Sequence, residues 1–228
     1  MKKLLIIFSC LILIVGCSSS EQAKMKISAS EFESDISSVY AESAEFSGLP
    51  DQEFEQNINN KIAEDVKGAL ISFDTMVSES SDDLRMGNRC VLEIKQLLKY
   101  NAKNFISLIE EHYVYTGGAH GSTMHYPRNI DTLNNKILCL EDLFADGYEK
   151  ELNRIIRTIT ESDKEKYSDL WEQPSIDKDS AFYISDGNLV IFFQPYELSY
   201  YAKGFIEFPI KLTEIEGFLK EEYKRLAV

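Results

Sequence analysis

Between Phe54 and Val77 the apolar residues Phe54, Ile58, Ile62, Val66, Leu70, Phe73 and Val77 recur at steps of four and three. That is the period of a helix with one buried face. Gly48 and Pro50 punctuate the chain before it, and Asp51 and Glu53 suit its first turn through the helix dipole. Glu55, Asn59, Asp65 and Lys67 supply the wet face. From residue 90 the period changes to two. Leu92, Ile94, Gln96, Leu98 and Tyr100 share one face while Glu93, Lys95 and Lys99 take the other, as in a strand with one solvated side. The turn "NAKN" leads to a second strand over 105–115, so the pair reads as an antiparallel hairpin. Weaker strand patterns cover 24–30 and 36–46.

The second half continues with a strand over 124–131. Asp146 and Glu149 have the spacing of a capping box ahead of a helix with the stripe Tyr148, Leu152, Ile155, Ile156 and Ile159. "AFYIS" and "LVIFF" flank Asp186-Gly187-Asn188, a hairpin signal. "FIEFPI" is a last strand, and Pro209 suggests that it lies at an edge or ends there. Thr213 and Glu216 form a second box, predicting a C-terminal helix with Ile215, Phe218, Leu219 and Tyr223 inward. Hairpins with helices outside βαβ alternation predict an α+β fold, an antiparallel sheet of hairpins packed by about three helices.

The N-terminus changes the picture of where the chain works. Lys2 and Lys3 precede an apolar run from Leu4 to Val15, too short for a membrane span of ~20 residues and suited to a signal peptide. It closes in Ile14-Val15-Gly16-Cys17 followed by serines, the pattern of a bacterial lipobox, with Cys17 the lipidation site. The expected organisation is a lipoprotein signal peptide at 1–16, a lipidated tether at 17–25, an N-terminal region at 26–112 and a C-terminal region at 113–228. The last two are expected to form one globular unit. The expected location is the cell envelope, lipid-anchored on the extracytoplasmic side, in the outer membrane if the host has one.

The full chain carries a net charge of −14, and loss of two lysines with the leader gives −16. Such acidity excludes nucleic acid as a partner and favours a cationic protein. With Cys10 and Cys17 assigned to leader and anchor, Cys90 and Cys139 remain, either bridged or as two free thiols. No cysteine-histidine spacing signals zinc, and no cofactor is expected.

Two stretches could carry chemistry. "YTGGAHG" holds Tyr115, Gly117, Gly118, His120 and Gly121 between two strands, and reads as a structural corner. Rival readings are a metal site or metal-assisted hydrolase centred on His120 and His125, with Asp131 as a third ligand, or a hydrolase using Ser122 or Thr123 beside His120. The other stretch runs from Pro195 through Tyr196, Glu197, Tyr200 and Tyr201 to Gly204. Its tyrosines suit a protein-binding surface, and Glu197 suits a cationic partner.

These stretches, with "NNKILCLEDLF" between them, resemble the RsiV-like C-terminal domain family, long catalogued as a domain of unknown function. The resemblance rests on Tyr115 to Gly121, then Asp131, Lys136, Leu138, Leu140, Asp142, Leu143 and Phe144, then Phe193, Tyr196, Glu197, Tyr201, Ala202 and Gly204. Upstream, "FSGLPDQEFEQNINNKI" resembles the partner domain that usually precedes it, as in PdaC-type deacetylases. The resemblance implies a non-catalytic binding module. In an anti-sigma factor of the family this region binds lysozyme, and related regions precede the catalytic domain of peptidoglycan deacetylases. Neither an anti-sigma role nor deacetylation is expected of this chain, which shows neither a cytoplasmic sigma-binding segment nor a deacetylase domain. Tyr200 stands where the family often has proline. The expected partner is thus a cationic cell-wall hydrolase such as lysozyme, acting on a decoy, inhibitor or sensor-like protein. The alternative is peptidoglycan or another glycan.

Overall fold

The apolar stripe from Phe54 to Val77 lies on helix α1, Gln52–Glu79, in a computed structural model that describes residues 7–11, 22–80 and 87–228. Asp51 is the N-cap rather than a first-turn residue, and its carboxylate accepts the Phe54 N–H at 2.9 Å. Ile58, Ile62, Val66, Phe73 and Val77 are buried as the spacing predicts.

The chain forms two compact units. One comprises Met1–Leu97 with Ile109–Tyr126, and the other Leu98–Leu108 with Pro127–Val228. In the first, β2 (Lys24–Glu33) and β3 (Ser37–Ser47) form a hairpin in register from Lys24 opposite Ser47 to Glu33 opposite Ser38. Its turn is tied by Ser34, whose Oγ accepts the Ser37 N–H at 3.0 Å. Strand β1, Ile7–Leu11, pairs antiparallel with β2. The rest of the expected leader, Cys17 included, lies outside the described residues.

α1 then carries the chain from β3 to a parallel partner, β4 (Cys90–Ala102), with Ser37 opposite Cys90 and Ala41 opposite Ile94. This one βαβ crossover departs from the expected topology. Its cause is the length of α1, whose apolar stripe closes over one sheet face. Val66, Phe73 and Val77 pack there with Ala41, Cys90, Leu92 and Ile94. Each such fully buried side chain contributes about 1.5–3 kcal/mol. Cys90 is a free thiol inside this cluster.

β4, β5 (Phe105–Tyr115) and β6 (Ser122–Asp131) are sequential neighbours in the larger sheet, whose order is β1-β2-β3-β4-β5-β6-β7, with β7 at Lys136–Leu138. Each of these three long strands contributes residues to both units. The β4–β5 turn uses Lys103 and Asn104, both at positive φ, as a two-residue hairpin loop requires.

The second unit adds α2 (Tyr148–Ser162), the hairpin β8 (Phe182–Ser185) and β9 (Asn188–Phe193), and β10 (Ile206–Lys211). The small sheet is ordered β10-β9-β8, so Pro209 does stand on an edge strand. Asp186 and Gly187 make the tight turn at φ 48° and 75°. Leu152 and Ile156 of α2 pack in one core with Ile184, Ile191, Phe208 and Leu143.

Both expected capping boxes in this unit fail. Gly147, in the left-handed conformation, precedes α2 and no side chain caps it. The C-terminal helix is only α3, Leu212–Ile215, followed by 3₁₀ turns at Glu216–Phe218 and Glu221–Ala227. Backbone pairing draws this segment out of helix: Ala145 N–H reaches the Phe218 carbonyl at 2.9 Å and Lys220 N–H the Leu143 carbonyl at 2.9 Å. Of the expected inward residues, Ile215, Leu219 and Tyr223 are still buried and Phe218 is half-buried. The architecture is α+β and mostly antiparallel. Among the described residues, no helix is long and apolar enough to cross a membrane.

Candidate binding surface

The glycine corner lies between β5 and β6. Gly117 and Gly118 take φ of 125° and 89°, conformations that side chains rarely adopt. Tyr115 Oη donates to the Gly118 carbonyl at 3.1 Å. Gly121 is required for another reason: a Cβ there would stand 2.5 Å from the Tyr113 ring. His120 is exposed, and its Nδ1 donates to the Gly121 carbonyl at 2.7 Å. Each named residue of the corner except His120 therefore shapes backbone or packing, and His120 ties the loop to itself.

His125 is differently placed. It is buried on β6, with Nε2 2.9 Å from the Glu111 carboxylate of β5. One residue along and on the opposite sheet face, Glu110 lies 2.7 Å from His112 Nε2 and accepts from Gln96 Nε2 at 2.9 Å. Of the two histidines of the hydrolase reading, His120 bonds the Gly121 carbonyl and His125 the Glu111 carboxylate. Asp131, its suggested third ligand, is fully buried and accepts from Arg225 at 3.0 Å, from Leu133 N–H at 3.0 Å and from Asn134 Nδ2 at 2.7 Å. Among the described residues, no three or more His, Cys, Asp or Glu side chains are grouped to hold a metal ion.

The stretch around "LCLEDLF" is also structural. Lys136 pairs with Asp142, whose other oxygen accepts the Cys139 N–H at 2.9 Å. Burial pushes the Asp142 carboxyl up, but the Lys136 ammonium and the bonds from Cys139 outweigh it and hold it below the ordinary range. Leu138, Leu140, Leu143 and Phe144 are buried. Cys139 is a free thiol, pushed up by burial and by Asp142.

The tyrosine loop, by contrast, presents its side chains. Pro195 is buried and anchors it, Tyr196, Glu197 and Tyr200 are exposed, and Tyr201 is half-buried. Tyr196 is 54% exposed and stands at φ 71°. That left-handed conformation costs an L-residue about 1–2 kcal/mol. A strained backbone that displays an aromatic ring to water is unusual for a purely structural turn. The Tyr196 and Tyr201 rings lie 5.6 Å apart. Glu197 turns back on the loop, accepting the Gln194 N–H.

A second loop, unanticipated from the sequence, joins this surface. Trp171 N–H donates to the Leu198 carbonyl at 2.9 Å, and Ser199 Oγ donates to the Asp169 carbonyl at 2.9 Å. Tyr200 Oη and Lys203 Nζ both reach Asp169 Oδ2, at 3.2 and 3.1 Å. Lys203 first and Tyr200 second hold the Asp169 carboxyl below its ordinary range. Trp171, the one tryptophan in the sequence, is 61% exposed. A lone tryptophan in a polar stretch, "SDLWEQPS", outside any helical or strand period, is the sequence signal that marks it.

The chain is similar to known proteins in two stretches. Residues 141–213 match the family described as "Protein of unknown function (DUF3298)", and residues 25–123 match the one described as "Deacetylase PdaC". The chain is similar to the peptidoglycan-N-acetylmuramic acid deacetylase PdaC of Bacillus subtilis, at 25% identity over 139 residues. That match takes in 58% of this chain and 30% of the deacetylase, so the chain spans about a third of that relative's length. Two solved structures share the fold. A DUF3298 family member from Bacteroides fragilis has a TM-score of 0.71 at 15% identity, covering 90% of this chain and 96% of that one. A DUF3298 family protein from Pseudomonas aeruginosa PAO1 has a TM-score of 0.59 at 14% identity, covering 97% and 94%. The PdaC match associates the chain with the cell envelope.

Proposed function

We propose that this protein is an envelope lipoprotein, anchored through Cys17, that acts as a non-catalytic binding module for a cationic cell-wall hydrolase such as lysozyme. The supporting observation is the display of Tyr196, Tyr200 and Trp171 on two loops pinned through Asp169, Leu198 and Ser199. Rigid, exposed aromatic rings are the residues that dominate protein-binding hot spots. The net charge of −14 supplies long-range attraction to a basic partner.

The second reading is a peptidoglycan-binding module. It is favoured by the match of residues 25–123 to "Deacetylase PdaC", whose namesake in Bacillus subtilis acts on peptidoglycan. Salt separates the two. The Debye length shrinks from ~30 Å at 0.01 M to ~10 Å at 0.1 M, so steering of a cationic protein weakens steeply while glycan stacking does not.

Calorimetric titration of the leaderless chain with lysozyme at the two salt concentrations, beside a peptidoglycan pull-down, decides between them. The expected result is saturable lysozyme binding that weakens with salt. No lysozyme binding at low salt with firm retention on peptidoglycan establishes the second reading instead.

A further inference from the structure

The tyrosine loop is one half of the exposed aromatic surface, and the segment between α2 and β8 is the other. Residues 163–180 carry Asp163, Glu165, Asp169, Glu172, Asp177 and Asp179 against Lys164, Lys166 and Lys178, and all nine are exposed. Trp171 projects from the middle of this acidic segment with 61% of its surface in water. The chain is held at Trp171 and just before it: its own N–H is bonded to the Leu198 carbonyl, the Asp169 carbonyl accepts from Ser199, and the Asp169 carboxylate from Tyr200 and Lys203.

An indole is the best of the aromatic rings for a cation, and it holds a guanidinium or ammonium within about 6 Å of its centre. Here the neighbouring carboxylates raise the local concentration of cations. Two of the segment's three lysines, and Lys203 of the neighbouring loop, already have partners. Lys203 and Lys178 pair with Asp169 and Asp179, and Lys166 lies 5.0 Å from the centre of the Tyr167 ring.

Resting on the reading of the surface as a docking site for a basic protein, we propose that Trp171 is an anchor of that site and takes a lysine or arginine side chain of the partner over its indole face. The exposed Tyr196 and Tyr200 lie on the neighbouring loop, which the Trp171–Leu198 and Ser199–Asp169 bonds hold to this segment. Long-range charge brings the partner in, and the indole fixes the register of the contact.

Because Trp171 is the sole tryptophan of the chain, its emission reports on this position alone. Tetra-arginine, which has no emission of its own, is titrated into the leaderless chain at low salt. A saturable emission change that fades with salt is expected. The disaccharide of N-acetylglucosamine and N-acetylmuramic acid should leave the emission unchanged. In calorimetry, Trp171→Ala should weaken lysozyme binding about tenfold or more, and Trp171→Phe should restore part of it. Matching thermal melts verify that the variants fold.

Equal lysozyme affinity for wild type and Trp171→Ala, with no response to tetra-arginine, overturns the anchor and leaves the binding reading standing. Absence of lysozyme binding overturns the lysozyme reading, and the tetra-arginine titration still decides the anchor. An emission change with the disaccharide and none with tetra-arginine overturns it in favour of a glycan.

Discussion

Arg225, in the last turn of the chain, lies 3.0 Å from Asp131 at the end of β6, 94 residues earlier. Asp131 is fully buried, and the same carboxylate also holds the turn that follows it through Leu133 and Asn134. Arg225 Nε continues to the Lys103 carbonyl at 2.9 Å. Tyr223, buried beside them, has its phenol pushed up by burial and by the Asp131 charge. One carboxylate therefore locks the C-terminal 3₁₀ segment, the β6–β7 turn and the β4–β5 turn of the second unit.

Removing it leaves the Arg225 guanidinium without its charged partner and the Leu133 and Asn134 amides without their acceptor. Asp131→Ala should destabilise the second unit by about 3–5 kcal/mol, the range for one partner lost from a buried pair. Asp131→Asn keeps an acceptor oxygen and should lose less. Urea unfolding followed by circular dichroism measures both. A loss under about 1 kcal/mol for the alanine variant would show that the cluster is incidental.

Much of the fold was readable because it repeats. The α1 stripe, the alternation in β4 and the turn at Asp186-Gly187 all announce themselves through period or turn chemistry, and all appear where the pattern puts them. The two capping boxes misled because a box is a local preference. At 216–220 the chain finds better partners in the backbone of 143–145. The parallel β3–β4 pairing was hidden because neither strand's pattern states its neighbour. At the site, positive φ at the corner was expected of glycines. No propensity could foresee it at Tyr196, which is where tertiary contacts override local preference. Trp171 was missed because its loop meets the tyrosine loop only through hydrogen bonds between residues some 30 positions apart.

The corner makes a sharper prediction about packing. Gly121 has no left-handed requirement, yet a methyl there would stand 2.5 Å from the Tyr113 ring. Gly121→Ala should cost roughly 1–3 kcal/mol by overpacking. Tyr113→Leu should relieve most of that cost in the double variant. A double-mutant cycle by urea unfolding gives the coupling, and strict additivity would place the penalty in the backbone instead.

Acid should find the Lys136–Asp142 pair. The Asp142 carboxyl is held below its ordinary range in the folded protein. A depressed carboxylate adds stability that is complete above the unfolded pKa of about 3.9 and is lost as pH falls through the lower folded value. The stability gap between wild type and Asp142→Asn should therefore be level above about pH 5. It should narrow steadily below pH 4. Urea midpoints across pH 2 to 7 measure it, and a gap that widens in acid would reverse the sign assigned here.

Cys17 lies outside the described residues, so its test is chemical. Cells expressing the full chain should incorporate labelled fatty acid into it, and Cys17→Ser should abolish the label and release the protein from membranes. Persistent labelling of the serine variant would sink the anchor, since each buried CH₂ contributes ~0.8 kcal/mol and no weaker contact replaces an acyl chain.

Tyr196 links stability to binding in opposite directions. Its φ of 71° is unfavourable for tyrosine, and its ring is 54% exposed, so little burial offsets the strain. The tilted ring contact with Tyr201 at 5.6 Å returns part of the cost, of order 0.5–1.5 kcal/mol for an aromatic pair. Asparagine tolerates the left-handed region far better than alanine does. Both variants lose the ring, and only asparagine relieves the backbone. Tyr196→Asn should therefore melt at or above wild type, and Tyr196→Ala below it. Both should weaken lysozyme binding alike, by about 2 kcal/mol if Tyr196 is a hot spot. Thermal melts and calorimetry on the three proteins test each half separately. An asparagine variant no more stable than the alanine variant would show that the backbone carries no strain to relieve. Undiminished binding in both would move the contact away from Tyr196, even with the strain confirmed.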